Sequence, residues 1–250
     1  MLEIDIFKIC LVSKIVVYLL KIIEMFQFNL LFINFVVFFF CATLNAQKSD
    51  FGNWLIYFGN QKISKNLNLW NEVQYRSYNG FGDTEQLLLR AGLGYNLTEN
   101  NNNILVGYAF INSKSYIAGT EDKLSRNENR LYQQFITKSI FGRFNIQHRY
   151  RLEERFIESD FRMRFRYFLS LNVPINKKTM ESGAIYLSAY NEIFLNNQKT
   201  VFDRNRIYGG IGYVFNKNFR MEAAVMSQIF ENRTRPQFQI VLFNNIPFIN

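Results

Sequence analysis

Arginine and glutamate are the residues of this sequence whose types and spacing could do chemistry. Between residues 145 and 173 they alternate with Phe, Ile, Tyr, Leu and Met at a period of two, as in RYRLEERF. Arginines lined up on one surface form ion pairs with carboxylates or attract anionic solutes. The sequence therefore predicts either a self-paired charge network or an anion-attracting surface.

Twelve residues make up the candidate charge network, and no catalytic, cofactor-binding or metal-binding residue is assigned. The twelve are Arg149, Arg151, Glu153, Arg155, Arg162, Arg164, Arg166, Glu192, Arg206, Glu222, Glu128 and Arg130. We expect these residues to form ion pairs, because burying a charge without a partner would destabilise the fold by roughly several kcal/mol. With Arg76 and Arg90 added, the arginines outnumber the glutamates that could pair with them, Glu72 included.

Groups for acid–base or nucleophilic catalysis are few. The single histidine, His148, stands in phase with Ile146 and Tyr150 on the apolar face. The carboxylates Glu153 and Glu192 are expected to pair with arginine rather than to form a catalytic dyad. No histidine or aspartate cluster has metal-ligand spacing, and no phosphate-loop motif occurs. We predict that the protein is not an enzyme and has no cofactor.

The alternation also identifies the elements that must position the charges. A helical period of 3.6 would scatter the arginines around the helix, whereas a strand sends alternate residues to opposite faces. Alternating runs of 12 to 15 residues exceed the roughly 5 to 6 of an ordinary strand and suit a tilted membrane strand of roughly 9 to 11. We predict an all-β fold, an antiparallel up-and-down transmembrane β-barrel with its charges in the lumen.

Eleven alternating segments follow residue 50 without a linker between them. They span 52–61, 66–78, 84–97, 103–113, 127–140, 143–157, 160–173, 182–196, 204–216, 218–231 and 236–246. The segments indicate a barrel of 10–12 strands. Because bacterial single-chain barrels have an even number of strands, we expect either ten or twelve. That requires the segment around Trp54 not to be a full strand, or two strands to be merged. Short turns are expected at 141–143 and 216–218, and a long outer loop at 113–127.

The N-terminal segment reads as a secretory leader. Residues 25–47 are almost free of charge and end in LNAQ, so we predict an upstream and signal segment over 1–46, with Met25 as the preferred start, and the barrel over 47–250. An uncleaved anchor of about 20 residues is the alternative. Both cysteines, Cys10 and Cys41, lie in this leader, so the exported chain would have no thiol chemistry.

The net charge of +9 indicates which kinds of molecule the protein could bind. A basic protein could meet nucleic acid, anionic lipid headgroups or an anionic substrate. For an exported barrel we expect outer-membrane lipid, lipopolysaccharide or phospholipid, with a small anionic solute as a further candidate and no nucleic acid. The oligomeric state is left open.

Five motifs carry a family resemblance: ENRLYQQF (128–135), HRYRLEERF (148–156), RFRYFLSLNVPI (164–175), YNEIFLN (190–196) and DRNRIYGGIGYVF (203–215). In their order and approximate spacing the chain resembles the family of exported bacterial proteins called domain of unknown function 2490. The resemblance implies an outer-membrane-type β-barrel in a Gram-negative bacterium and carries no catalytic residues.

The function predicted is that of a bacterial outer-membrane barrel with a structural role, or one that binds or passes a small anionic solute through an Arg/Glu-lined lumen. One alternative is an outer-membrane lipid-modifying enzyme of the deacylase or phospholipase kind. Another is a soluble periplasmic lipocalin-like binder, whose apolar face would point inward and whose arginines would point outward.

Overall fold

The computed structural model describes residues 51–80, 82–98 and 101–248, so the predicted leader at 1–46 and its boundary lie outside the described residues. The described part is all-β. Its strands are β1 (Gly52–Lys62), β2 (Leu67–Ser77), β3 (Thr84–Asn96), β4 (Asn102–Tyr116), β5 (Lys123–Phe141), β6 (Phe144–Ile157), β7 (Asp160–Pro174), β8 (Ile185–Asn196), β9 (Phe202–Asn216), β10 (Phe219–Ile229) and β11 (Thr234–Asn244). No helix in the described ranges is long and apolar enough to cross a membrane.

The strands form a closed barrel in chain order. Successive strands are antiparallel, whereas β1 pairs in parallel with β11, from Gly52 opposite Gln237 to Gly59 opposite Asn244. The β-barrel prediction and its range of 10–12 strands are confirmed, but the expected even number is wrong, because the described residues form eleven strands. The segment around Trp54 is a full strand, with a ladder to β2 on one side and to β11 on the other. With an odd number, the first and last strands run in the same direction, so closure must be parallel.

The two faces of the barrel differ in polarity. Outside, apolar side chains are exposed, for instance Leu93 at 57% and Val106 at 61%. Inside, Arg151 and Glu153 are buried, with 1% and 0% of their surfaces exposed. This facing is the reverse of that expected for a lipocalin-like binder. An apolar outer band around a polar interior is the arrangement of outer-membrane barrels.

One side of the lumen is apolar, which the alternation of charged and apolar residues does not predict. Trp54 and Ile56 of β1 pack with Tyr208, Met226 and Val241 of β9 to β11. The charged residues come mainly from the strands on the other side of the barrel. The interior is thus divided between an apolar wall and a charged wall.

The barrel has two rims, and we call the one at which β1 begins rim 1. Rim 1 holds the beginning of β1 and the connections after β2, β4, β6, β8 and β10, and rim 2 holds the others. The short turns expected at 141–143 and 216–218 lie at rim 2. The long loop expected at 113–127 is wrong, because β4 and β5 continue their ladder to Tyr116 opposite Lys123 and leave only 117–122 as a connection. Polar residues on this extension, such as Lys114 opposite Ser125, give a strand the composition of a loop.

Candidate functional site

Glu153 on β6 is the centre of the charge network. Arg164 donates to its carboxylate from Nη2 at 2.7 Å, and Arg166 donates from Nη1 at 2.6 Å. Arg164 lies directly opposite Glu153 in the register of β6 and β7, so the antiparallel ladder itself brings the pair together. Three further guanidinium groups lie 3.5–3.8 Å away, those of Arg90, Arg130 and Arg151.

Glu192 on β8 is the second carboxylate of the network. Arg149 and Arg166 each donate to its Oε1 at 2.6 Å, and Arg206 lies 3.6 Å from its Oε2. Because Arg166 contacts both Glu153 and Glu192, the two carboxylates belong to one connected network. Each is held by several charge-assisted hydrogen bonds, the stronger class of hydrogen bond.

Glu128 extends the network toward rim 1. The Nε atoms of Arg130 and Arg155 donate to its Oε1 at 2.5 Å each. Arg130 also lies 3.5 Å from Glu153, which joins this group to the centre. Ten of the twelve predicted residues are thereby connected.

The remaining two predicted residues have other partners. Arg162 lies at rim 1, where its half-exposed side chain donates to Asp160 at 2.5 Å. Glu222 accepts hydrogen bonds from the hydroxyls of Tyr186 at 2.8 Å and Tyr208 at 2.6 Å. Gly212 stands where a Cβ would be 2.1 Å from the Tyr186 ring, so this glycine makes room for the tyrosine.

Several members of the network were missed from the sequence. Asp203 accepts from Arg164 at 2.9 Å and from Arg204 at 3.1 Å, although period two assigns it to the outer face. The β8–β9 register shifts beside it, as at a β-bulge, and this changes its direction. Three buried amides also accept from arginines, with Gln134 serving Arg151, Gln228 serving Arg206 and Gln74 serving Arg76. These glutamines stand in phase with the inner residues, so the alternation could have identified them.

Three cavities follow one another along the lumen. The rim 1 cavity has a volume of about 330 Å³ and extends from exposed Arg126 to Arg206. The central cavity has a volume of about 380 Å³. The rim 2 cavity has a volume of about 620 Å³ and is lined by asparagines. Arg90, Arg166 and Arg206 line both the rim 1 cavity and the central cavity and so lie between them. Part of the charge network therefore lies between the rim 1 cavity and the central cavity.

The rim 1 cavity has an extreme charge composition. Its lining contains ten arginines and a single carboxylate, that of Glu128. The arginines are Arg76, Arg90, Arg126, Arg130, Arg155, Arg162, Arg164, Arg166, Arg204 and Arg206. Guanidinium groups bind oxyanions through two parallel hydrogen bonds, so this lining suits an anion.

A separate polar cluster lies at rim 1 around Asp83, in the connection between β2 and β3. Asp83 accepts hydrogen bonds from Lys123, from Tyr116 at 2.9 Å and from Asn79 at 2.7 Å. Partial burial alone would raise the pKa of Asp83, but these hydrogen bonds, together with the charge of Lys123, outweigh burial and hold the pKa below its usual value.

The groups considered for catalysis are separated. His148 lies on the outer face, with its Nδ1 2.9 Å from the hydroxyl of Tyr167, another outer residue. Glu153 and Glu192 are both held by arginines inside the lumen. Within the described ranges no group of three or more His, Cys, Asp or Glu side chains could hold a metal ion.

Residues 51–239 match the family described as protein of unknown function, DUF2490. The chain belongs to this family. The match reaches from the start of β1 into β11, so the family signature of this DUF2490 protein covers nearly the whole barrel and every residue of the charge network. No curated protein matches the chain.

Two solved structures are similar to this DUF2490 protein, each at 14% sequence identity. Both are of in-vitro folded OmpT, an outer membrane protein of Vibrio cholerae. The trimer form gives a TM-score of 0.38 with 68% of this chain and 52% of that chain covered. The second gives 0.35 with 66% and 51% covered. The chain thus spans about half the length of these structures.

Proposed function

We propose that this protein is a non-enzymatic barrel of the bacterial outer membrane that takes up a small anion at rim 1 and keeps its lumen closed to free passage. The observation that carries the proposal is the lining of the rim 1 cavity, with ten arginines against one carboxylate. The partners are outer-membrane lipid around the barrel and the anion inside it.

The outer face supports the membrane location. Apolar and aromatic side chains that would be unfavourable in water are exposed around the barrel, among them Leu93, Val106, Phe165, Ile211 and Val225. A closed barrel leaves no sheet edge unpaired, which is a requirement for strands in lipid. In this setting, inward charges are shielded from the hydrocarbon.

Charge balance supports the uptake of an anion. The network carboxylates are shared, since Glu128 serves two arginines and Glu153 has five guanidinium groups within 4 Å. Arg149 and Arg151, outside the cavity lining, draw on Glu192 and Glu153 as well. The surplus positive charge stabilises a bound anion, and the low-dielectric walls strengthen this attraction.

The ion pairs between the cavities support binding rather than passage. Arg90, Arg166 and Arg206 stand between the rim 1 cavity and the central cavity and are tied to Glu72 or Glu192. A permeating ion would have to break these bonds, and each broken buried pair costs about 3 kcal/mol or more. Steady conduction requires weaker and more evenly spaced sites.

The test uses the full chain refolded into phosphatidylcholine liposomes and titrated with inorganic phosphate in a calorimeter. We expect saturable binding that Arg204→Gln weakens. The matched control is Arg233→Gln, because Arg204 and Arg233 both stack on Phe230, at 4.7 and 5.0 Å, but Arg233 does not line the cavity. Equal loss in both variants, or no saturable binding, would overturn the proposed uptake.

The closed lumen is tested by conductance across a planar bilayer containing the same protein. We expect no steady open-channel current. A stable anion-selective current would replace uptake by passage through the lumen.

A further inference from the structure

Arg76 on β2 stands apart from the other arginines of the rim 1 cavity. Its Nε and Nη2 donate to the amide oxygen of Gln74, at 3.2 and 2.6 Å, and it forms no ion pair with the described residues. Only 9% of its surface is exposed. The carboxylate of Glu85 attracts its charge from beyond ion-pair distance, but Glu85 is itself paired with Arg235 at 2.6 Å. The buried charge of Arg76 is therefore only partly compensated, and this is costly without a further partner.

Arg206 on β9 and Arg76 on β2 lie on opposite sides of the parallel ladder between β1 and β11. Both side chains stack on one ring. The guanidinium carbon of Arg76 is 3.7 Å from the centroid of the Trp54 ring and that of Arg206 is 5.0 Å from it. Trp54 is itself buried, and its indole Nε1 has no hydrogen-bond partner in the described part of the chain. Stacking fixes the planes of the guanidinium groups and leaves their edges for hydrogen bonds.

Both guanidinium groups belong to the rim 1 cavity. Arg76 and Arg206 both line it, whereas Trp54 lines the central cavity beneath. Arg206 is partly compensated, with Gln228 at 3.1 Å and Glu192 at 3.6 Å, so together the two arginines retain excess positive charge.

We infer that Arg76 and Arg206, held on Trp54, form a specific site for a phosphate oxyanion. Two forked guanidinium groups supply parallel donor pairs that match the oxygens of a phosphate group better than those of a spherical chloride ion. A free phosphate and the phosphate of a lipid headgroup share this chemistry. The site rests on the proposed uptake of anions at rim 1 and gives that uptake a location and a ligand class.

Trp54 provides a direct optical readout of this site. The sequence has two tryptophans, so Trp70→Phe leaves Trp54 as the only one. The full chain with this change is refolded into phosphatidylcholine liposomes, and its emission is followed as inorganic phosphate is added at constant ionic strength. We expect a saturable change in emission that chloride does not produce.

Variants locate the binding groups. Arg76→Lys keeps the charge but loses the fork, and we expect it to weaken phosphate binding about tenfold or more. Arg206→Gln should act in the same direction. Arg220→Gln is the matched control, because Arg220 also lacks an ion pair among the described residues and stacks on Phe243 at 4.0 Å, but lines the two other cavities. It should leave the midpoint of the titration unchanged.

A second arm distinguishes the source of the phosphate. Liposomes in which bisphosphorylated lipid A replaces part of the phosphatidylcholine are used without free phosphate. A change in Trp54 emission that Arg76→Lys removes supports the site in either arm, and the arm in which it appears names the source. No change in either arm, or the same change in Arg76→Lys and Arg220→Gln, overturns it.

Calorimetry separates this inference from the proposed function. If phosphate binds by calorimetry while Trp54 and Arg76→Lys do not report it, uptake stands and this location is wrong. If neither method detects binding, both are overturned. Unfolding midpoints in urea establish that each variant is folded before it is compared.

Discussion

Glu153 is the carboxylate that the arginines of the lumen share most widely. Its replacement by glutamine would leave Arg164 and Arg166 without their shared counter-ion in a buried setting. We expect Glu153→Gln to lower the free energy of unfolding by about 3–5 kcal/mol, as when one partner of a buried ion pair is removed. The measurement is urea unfolding of the protein in liposomes.

The neighbouring residue supplies the control. Glu154 follows Glu153 in the chain but points to the opposite face, where it accepts a bond from Gln133 at 3.3 Å. Glu154→Gln should change the free energy of unfolding by no more than about 0.5 kcal/mol. Similar losses for both variants would contradict the central role of Glu153.

Residue by residue, the sequence could predict which face a side chain takes but not always its partner. Period two assigned Arg164 and Glu153 to the same interior, and their register made them a pair. Asp203 escaped because a register shift, which no local pattern signals, reversed its direction. The stacking of Arg76 on Trp54 depends on how β1 and β2 lie side by side, so it could not be predicted either.

Among the elements, the rim 1 connection that carries Asp83 should make stability depend on acid pH. The pKa of Asp83 is lower in the folded protein than in the unfolded chain, so this group stabilises the fold above its unfolded pKa of about 3.9. The contribution is lost as the pH falls through the lower folded pKa. We expect Asp83→Asn to reduce the acid dependence of the urea midpoint between about pH 5 and pH 2.

Asp122 tests whether that effect is local. It lies in the next rim 1 connection, is exposed, and does not contact Lys123 through its carboxylate among the described bonds. Asp122→Asn should keep the acid dependence of the unchanged protein. An equal effect of both substitutions would show that general charge, rather than the Asp83 hydrogen bonds, sets it.

The parallel ladder between β1 and β11, which we call the parallel seam, allows a prediction about how these two strands are aligned. Leu55 lies opposite Ile240 in the register of the two strands. Neighbouring strands lie about 4.8 Å apart, which is within the Cα range that a disulfide spans. In a background with Cys10 and Cys41 replaced by serine, Leu55→Cys with Ile240→Cys should cross-link on oxidation. The measurement is a mobility shift in an unreduced denaturing gel.

A shifted pair controls for proximity alone. Leu242 faces the same side as Ile240 but lies two residues further along β11, so Leu55→Cys with Leu242→Cys should cross-link poorly. Preferential cross-linking of the shifted pair would mean that the register of the seam is different.

At the scale of the whole molecule, the apolar outer face should tolerate charge according to depth. Phe165 lies near the middle of β7 on the outer face, and Phe165→Arg should lower the free energy of unfolding in bilayers by about 2–4 kcal/mol. Phe144, the first residue of β6 at rim 2, is the matched position, where arginine should cost about 0–1 kcal/mol. Equal losses at both positions would contradict the membrane orientation.

The whole barrel was largely predictable, because strand length, alternation and turn residues repeat along the chain. Strand number and the 113–127 connection were not. The even-number expectation describes barrels that close antiparallel, and nothing in the alternation of β1 indicates that its second neighbour is parallel. The polar ladder of β4 and β5 beyond the apolar band has the composition of a loop, and composition does not reveal backbone pairing.

The parallel seam also bears on the order of assembly. Every other ladder joins strands that follow one another in the chain, whereas the seam joins Gly52 to Gln237 across nearly the entire barrel. Bringing such distant segments together carries the largest loss of chain entropy, so the seam should form last during folding. Until then β1 and β11 present two bare edges that could join other chains. The lifetime of the folded barrel would then be governed by the rate at which this one seam reopens.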